Sequence, residues 1–282
     1  MRPLFLLIIF IVLLAGGSVV FSRDPLTDLV DTEKAFAATA ADKGTKTAFL
    51  EYSSADALLF LPEKINSRSY WTSRDDSKGL LSWAPNYADL SANGLIGYTT
   101  GNWEFRPGSK DAEPTGFGQF VTIWQRQPDG KYRFVVDIGV GHAKPGKFSN
   151  DLLPPAYPSK GNPDNSSAAD NAAQFFEIAG KFGTAEAYKR FAAEKVRVFR
   201  EGEMPVIGKK ALLSKVKKEM PNVIFAKRSV FFGSDDIAYI QNSYSVSRQD
   251  GSVEKGNFVH IWKLIDGRWQ IVLDIFKPVP QK

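Results

Sequence analysis

The sequence predicts an α+β protein made of one domain written twice, each copy opening with helices and closing with a strongly curved antiparallel sheet. Three observations carry this. Residues 118–124 read GQFVTIW and residues 256–262 read GNFVHIW. The echo extends further: Gly44-Thr45 returns as Gly183-Thr184, Phe60 as Phe199, Tyr98 as Tyr239, and Val136-Asp137-Ile138 as Leu273-Asp274-Ile275. Finally, the spacing between the copies changes by one residue in a turn, where Gln127-Pro128-Asp129-Gly130 is answered by Ile265-Asp266-Gly267. An insertion inside a strand would have sent every later side chain to the other face, so a working repeat keeps length changes in loops. The copies span residues 28–142 and 170–279.

Residues 1–22 stand apart. Arg2 precedes an unbroken apolar run from Leu4 to Leu14 and then the small residues Ala15, Gly16, Gly17 and Ser18, the layout of a secretory signal. The competing reading is a retained anchor, since Pro3 to Ser22 approaches the ~20 residues that cross a bilayer. Either way the chain is expected to be exported, periplasmic or extracellular, with residues 3–22 as its only route to a membrane.

Each copy then follows one order. Phe36, Ala37 and Ala40, answered by Phe175, Phe176 and Ala179, have helical spacing. Gly44 and Gly183 suit the end of that helix, and the threonine after each suits the N-cap of the next. A short second helix carries Phe49 and Tyr52, or Tyr188 and Phe191, and runs into a strand ending at Phe60 or Phe199. In the second copy GKKALLSKVKKEMP places Leu212, Val216 and Met220 on one helical face and its lysines mostly on the other. After it come only strands. Residues 143–169 are rich in Pro, Gly, Ser and Asn and read as a semi-stiff linker.

The strands close each copy. NFVHIWKLIDGRWQIVLDIF is two strands around Asp-Gly, a strong hairpin signal. Phe258, His260 and Trp262 share one face of the first strand, Val259 and Ile261 the other. Both faces are apolar, so the sheet is covered on both sides or curled around something.

On the GT corner opening TKTAFLEYSSADALLF, the stretch WAPNYADLSANGLIGYTTGNWEF and the hairpin GQFVTIWQRQPDGKYRFVVDIG, the chain resembles the nuclear transport factor 2-like superfamily, which also holds ketosteroid isomerases and SnoaL-like cyclases. It looks most like the secreted branch of that superfamily. The resemblance covers nearly all of the first copy and, in the second, chiefly the hairpin. It implies two tandem cones, in each of which a bent sheet wraps the helices and leaves a pocket at the open end. One cone serves many unrelated activities, so fold alone does not assign one.

Composition excludes several chemistries. With no cysteine and only His142 and His260, thiol nucleophiles, thiolate or multi-histidine metal sites and iron–sulfur clusters are ruled out, and no metal or cofactor is expected. The first copy is slightly acidic and the second basic, yet no groove-reading motif accompanies the lysines, so nucleic acid is not an expected partner.

Asp137 and Asp274 draw attention because each sits mid-strand between large apolar residues, where a carboxylate is either paired or shifted in pKa. Ketosteroid isomerases use an aspartate base with a protonated acid and a tyrosine in an apolar pocket. That full set does not map residue by residue onto this chain, and a structural role for both aspartates competes with a catalytic one. His260 stands where the first copy has Thr122, as a buried wall residue or as an acid or base. Aromatic positions supply the pocket candidates: Trp83, Tyr98, Trp103, Phe120 and Trp124 in the first copy, and Tyr239, Tyr244, Phe258 and Trp262, with His260, in the second. The expected function is binding of a small, mainly apolar or aromatic molecule in a cone, without catalysis. The alternatives are an isomerase, cyclase or lyase using an aspartate or His260 for proton transfer, and a structural module whose sheets pack within the chain or in a homodimer.

Overall fold

The computed structural model describes residues 24–75, 78–147, 149–158, 167–226, 230–248 and 250–280. Residues 1–22, read above as signal or anchor, lie outside them; among the described residues no helix is long and apolar enough to cross a membrane.

The first copy runs α1 (Pro25–Lys43), α2 (Thr45–Tyr52), β1 (Ser53–Phe60), β2 (Lys64–Asn66), α3 (Ser67–Thr72), β3 (Leu80–Leu90), β4 (Ile96–Arg106), β5 (Gly116–Arg126) and β6 (Tyr132–His142). The second runs α4 (Ala168–Phe182), α5 (Thr184–Phe191), β7 (Ala192–Arg200), β8 (Val206–Ile207), α6 (Lys209–Glu219), β9 (Val223–Phe225), β10 (Val230–Gly233), β11 (Ile237–Ser247), β12 (Val253–Ile265) and β13 (Arg268–Val279). The sheets are ordered β2-β1-β6-β5-β4-β3 and β10-β11-β12-β13-β7-β8, with β9 also on β11. In each, the first long strand joins the last in parallel, β1 on β6 and β7 on β13, while the other pairs are antiparallel. The sheets are therefore mixed. Residue periodicity carries no information on which strands become neighbours, and the four strands and one helix between β1 and β6 supply the long return that a parallel pair needs.

Helix starts and stops follow local chemistry. Asp24 caps α1 by accepting from the Thr27 amide, with Pro25 in the first turn, and Ser167 caps α4 by accepting from the Asp170 amide. Gly44 and Gly183, at φ 90° and 89°, turn the chain out of those helices into the next. Contrary to the expectation from sequence, the threonines after them are not the N-caps. Each is the first helical residue, the glycine itself holds the N-cap position, and the Thr184 hydroxyl instead accepts from the Val223 amide at 2.9 Å.

Curvature comes from matching irregularities: the register shifts between Ile123 and Trp124 on β5 and between Ile261 and Trp262 on β12. Asp266 and Gly267 both adopt positive φ at the β12–β13 turn, as an Asp-Gly hairpin requires.

Alternate strand residues then build three cores. Inward residues of the first copy, Trp124 and Phe134 among them, pack on Leu29, Phe36, Ala40 and Phe49 of its helices. Phe258, Trp262 and Phe276 pack on Phe175, Tyr188 and Leu212 in the second. The outward residues, including Tyr98, Val121, Ile123 and Ile138 from one sheet and Tyr239, Val259, Ile261 and Ile275 from the other, form a third core between the sheets. Both faces of each sheet are apolar because helices cover one and the other copy covers the second. Within the chain the contact is pinned by the buried pair Lys263 Nζ–Asp89 Oδ1 at 2.7 Å and by Ala92 N to Asp236 Oδ1 at 2.9 Å. Part of the linker packs as well: Leu153 bridges to Tyr87, whose hydroxyl accepts from the Ala156 amide, and the Tyr157 hydroxyl accepts from the Lys195 amide.

Candidate functional site

The two matched aspartates lie at the same register of their hairpins, Asp137 opposite Thr122 and Asp274 opposite His260. Their surroundings differ completely. In the first copy the Thr122 hydroxyl donates to Asp137 Oδ2 at 2.8 Å, and the carboxyl faces a cavity of about 210 Å³. Its apolar walls include Phe36, Phe49, Leu61, Trp83, Trp103 and Phe120, and Gly139 and Lys277 also line it. Burial pushes the Asp137 pKa up to about 7, against the hydrogen bond from Thr122 and assisted by the charge of Glu33.

Glu33 is a second carboxyl behind the wall. It stands on the buried stripe of α1 and is wholly enclosed. It accepts from Trp83 Nε1 at 2.6 Å, from Thr99 Oγ1 at 2.5 Å and from Trp124 Nε1 at 3.1 Å. Burial raises its pKa although these three donors oppose the shift. The arrangement fixes the Trp83 ring that lines the cavity and places two carboxyls of raised pKa in one apolar compartment.

The second copy fills the same space. Tyr188 stands where the first copy has Phe49, Arg200 where it has Leu61, His260 where it has Thr122, and Phe276 where it has Gly139. Asp274 is consequently saturated: Arg200 Nη2 lies 2.6 Å from Oδ2, while Tyr188 donates to Oδ1 at 3.0 Å and His260 Nε2 approaches it at 3.1 Å. Burial alone would raise its pKa, but the Arg200 guanidinium, with His260, holds it below the usual carboxylate value. Phe276 stacks on Phe258, 5.5 Å between ring centroids, and Arg200 lies over its face. Glu33 is answered by Ala172, and among the described residues Trp262 Nε1 finds no hydrogen-bond partner.

The residues singled out by sequence thus fall in several places. Trp83, Trp103, Phe120 and Asp137 meet at the cavity. Trp124 lies beneath it in the helix-side core. Tyr98 and Tyr239 face the other sheet. Phe258, His260, Trp262 and Asp274 lie in the closed interior of the second copy. Tyr244 donates to Glu254 at 2.7 Å and borders a separate open groove of about 520 Å³ between that copy and Glu63 and Lys64. Sequence reasoning missed Glu33, although its place in the series Leu29, Glu33, Phe36, Ala40 is a core position of an amphipathic helix. It also missed Gly139, Leu61 and Lys277. Among the described residues no group of three or more His, Asp or Glu side chains could hold a metal ion.

No protein-family model matches the chain, and no curated protein does. Solved structures do. An NTF-2-like protein of unknown function from Shewanella oneidensis MR-1 matches at 20% identity over 39% of this chain and 98% of its own, with a TM-score of 0.32. A candidate ketosteroid isomerase from Parabacteroides distasonis matches at 17% identity over 41% and 90%, with a TM-score of 0.35. An NTF2-like protein from Cytophaga hutchinsonii matches at 11% identity over 40% and 100%, with a TM-score of 0.34. The chain is similar to nuclear transport factor 2-like structures one cone at a time.

Proposed function

We propose that the chain is an exported binding protein whose first cone holds one small, mainly apolar ligand, with the second cone serving as its covalent scaffold. One observation carries the reading: the 210 Å³ cavity is walled by aromatic rings and presents the single carboxyl of Asp137 at its lining. Few polar groups in an apolar hollow is the usual makeup of a small-molecule site. The replacement of Gly139 by Phe276 and of Leu61 by Arg200 supports assigning the ligand to the first copy alone. Export rests on the signal-like residues 1–22. Native mass spectrometry of protein purified from its source should find one small molecule per chain, lost in Gly139→Phe; protein that is empty and takes up no single-ring aromatic compound would refute the assignment.

A second reading is favoured by one feature. A carboxyl with a pKa near 7 in an apolar pocket is suited to taking and returning a proton at neutral pH. On this reading Asp137 is the base of an isomerase, cyclase or lyase, and Asp137→Asn abolishes turnover without lowering Tm.

A further inference from the structure

Lys277 belongs to β13 of the second copy, yet it lines the cavity of the first. Strand geometry accounts for this. Phe276 points into its own cone, so the next side chain points to the opposite face, toward the other sheet. There Lys277 Nζ meets Glu201 Oε2 at 3.1 Å, and Glu201 Oε1 accepts from the Gly141 amide at the end of β6. The Glu201 side chain is 42% exposed and stands outside the cavity lining, whereas that of Lys277 is only 18% exposed. An ammonium has three donors, of which Glu201 takes one. The cavity lining therefore holds both a cation, Lys277, and a carboxyl of raised pKa, Asp137.

Volume limits the ligand. About 150 Å³ of apolar cavity is enough to hold benzene, so 210 Å³ has room for one ring with a short substituent. Resting on the binding function proposed above, we propose that the first cone selects single-ring aromatic acids, the ring held among Trp83, Trp103 and Phe120 and the anionic group paired with Lys277. The second copy is then part of the site, because the first cone alone lacks the cation.

Phenylacetate and its neutral isostere phenylacetamide, titrated into the full chain with tryptophan fluorescence and calorimetry as readouts, test this. Phenylacetate should bind more tightly by about tenfold, the scale of a charge-assisted hydrogen bond. Lys277→Met should bring the two affinities together by weakening the acid and sparing the amide. Glu201→Gln, which keeps an oxygen for the Gly141 amide but removes the competing charge, should tighten the acid further. Equal binding of acid and amide to the natural chain, or an acid preference that survives in Lys277→Met, overturns the anion assignment and leaves the apolar pocket standing. Binding of neither compound removes both readings.

Discussion

Gly139 and Phe276 each stand two residues after the matched aspartates, and the difference between a hydrogen atom and a benzyl group separates the open cone from the filled one. Phe276 is 1% exposed and touches Phe258, Tyr244 and the Arg200 guanidinium. Truncating it to alanine leaves a hole in a packed core and should cost about 3–5 kcal/mol of stability, read by urea denaturation. The reverse change, Gly139→Phe, places a ring into existing empty space, although its Cβ would approach the Gln119 carbonyl at 3.2 Å. It should cost less than Phe276→Ala while eliminating ligand uptake. Comparable losses from the two variants would mean that the first cone has no room to fill.

The Asp137 pKa, raised from 3.8 to about 7, makes stability depend on pH with a definite sign. Between those values the folded chain keeps a proton that the unfolded chain releases, so this group's contribution is complete below about pH 4, declines through pH 7 and is flat above it. Asp137→Asn removes that decline. Urea titrations at pH 4.5 and 7.5 should show the asparagine variant gaining on the natural chain by on the order of 2–4 kcal/mol at the higher pH. A constant difference between the two pH values would place Asp137 in contact with solvent.

Much of this architecture is written in the sequence, and the reasons for the gaps are physical. The doubling, the hairpins and the divergence of Thr122 from His260 are local or repeated features. Parity along β4 already separates Tyr98 from Trp103, since five residues apart on a strand means opposite faces. What parity lacks is an anchor saying which face is the interior. The pairing of Thr99 with Thr122, itself opposite Asp137, supplies that anchor only once the strand order is known. Helix spacing puts Glu33 on the buried stripe of α1, but what satisfies it there is not local, because its three donors come from residues 50, 66 and 91 positions away. The reach of Lys277 into the other copy depends on how the two sheets pack, which periodicity does not encode.

Asp274 and Arg200 form an enclosed ion pair, and one-sided removal leaves a buried charge without compensation. Arg200→Met should therefore destabilise the chain by about 3–5 kcal/mol at neutral pH. The cost should fall in the double variant Arg200→Met/Asp274→Asn, where neither charge remains. Because the folded pKa of Asp274 is depressed, its share of stability is present above its unfolded pKa and is lost as pH falls through the folded one. A double-mutant cycle at pH 7 gives the coupling, and additive losses would show that Tyr188 and His260 suffice to hold Asp274.

Lys263 and Asp89 make the corresponding buried pair between the copies, at 2.7 Å, and they test whether the two cones stand or fall together. Burial raises the Asp89 pKa to about 6, with the Lys263 charge opposing the shift. Lys263→Met removes that opposition, so Asp89 can relieve the loss only by taking up a proton. At pH 8 it must either stay charged and unpaired or bind a proton at a cost, whereas at pH 5 it is largely neutral already. The variant should thus lose about 3–5 kcal/mol at pH 8 and clearly less at pH 5. Since Asp89 lies beside the third core, which both sheets share, unfolding should remain one transition in both proteins when followed by tryptophan fluorescence and by circular dichroism. Two separated transitions in the natural chain would show that the sheet contact is too weak to couple the copies, and would also separate Lys277 from the cavity it lines.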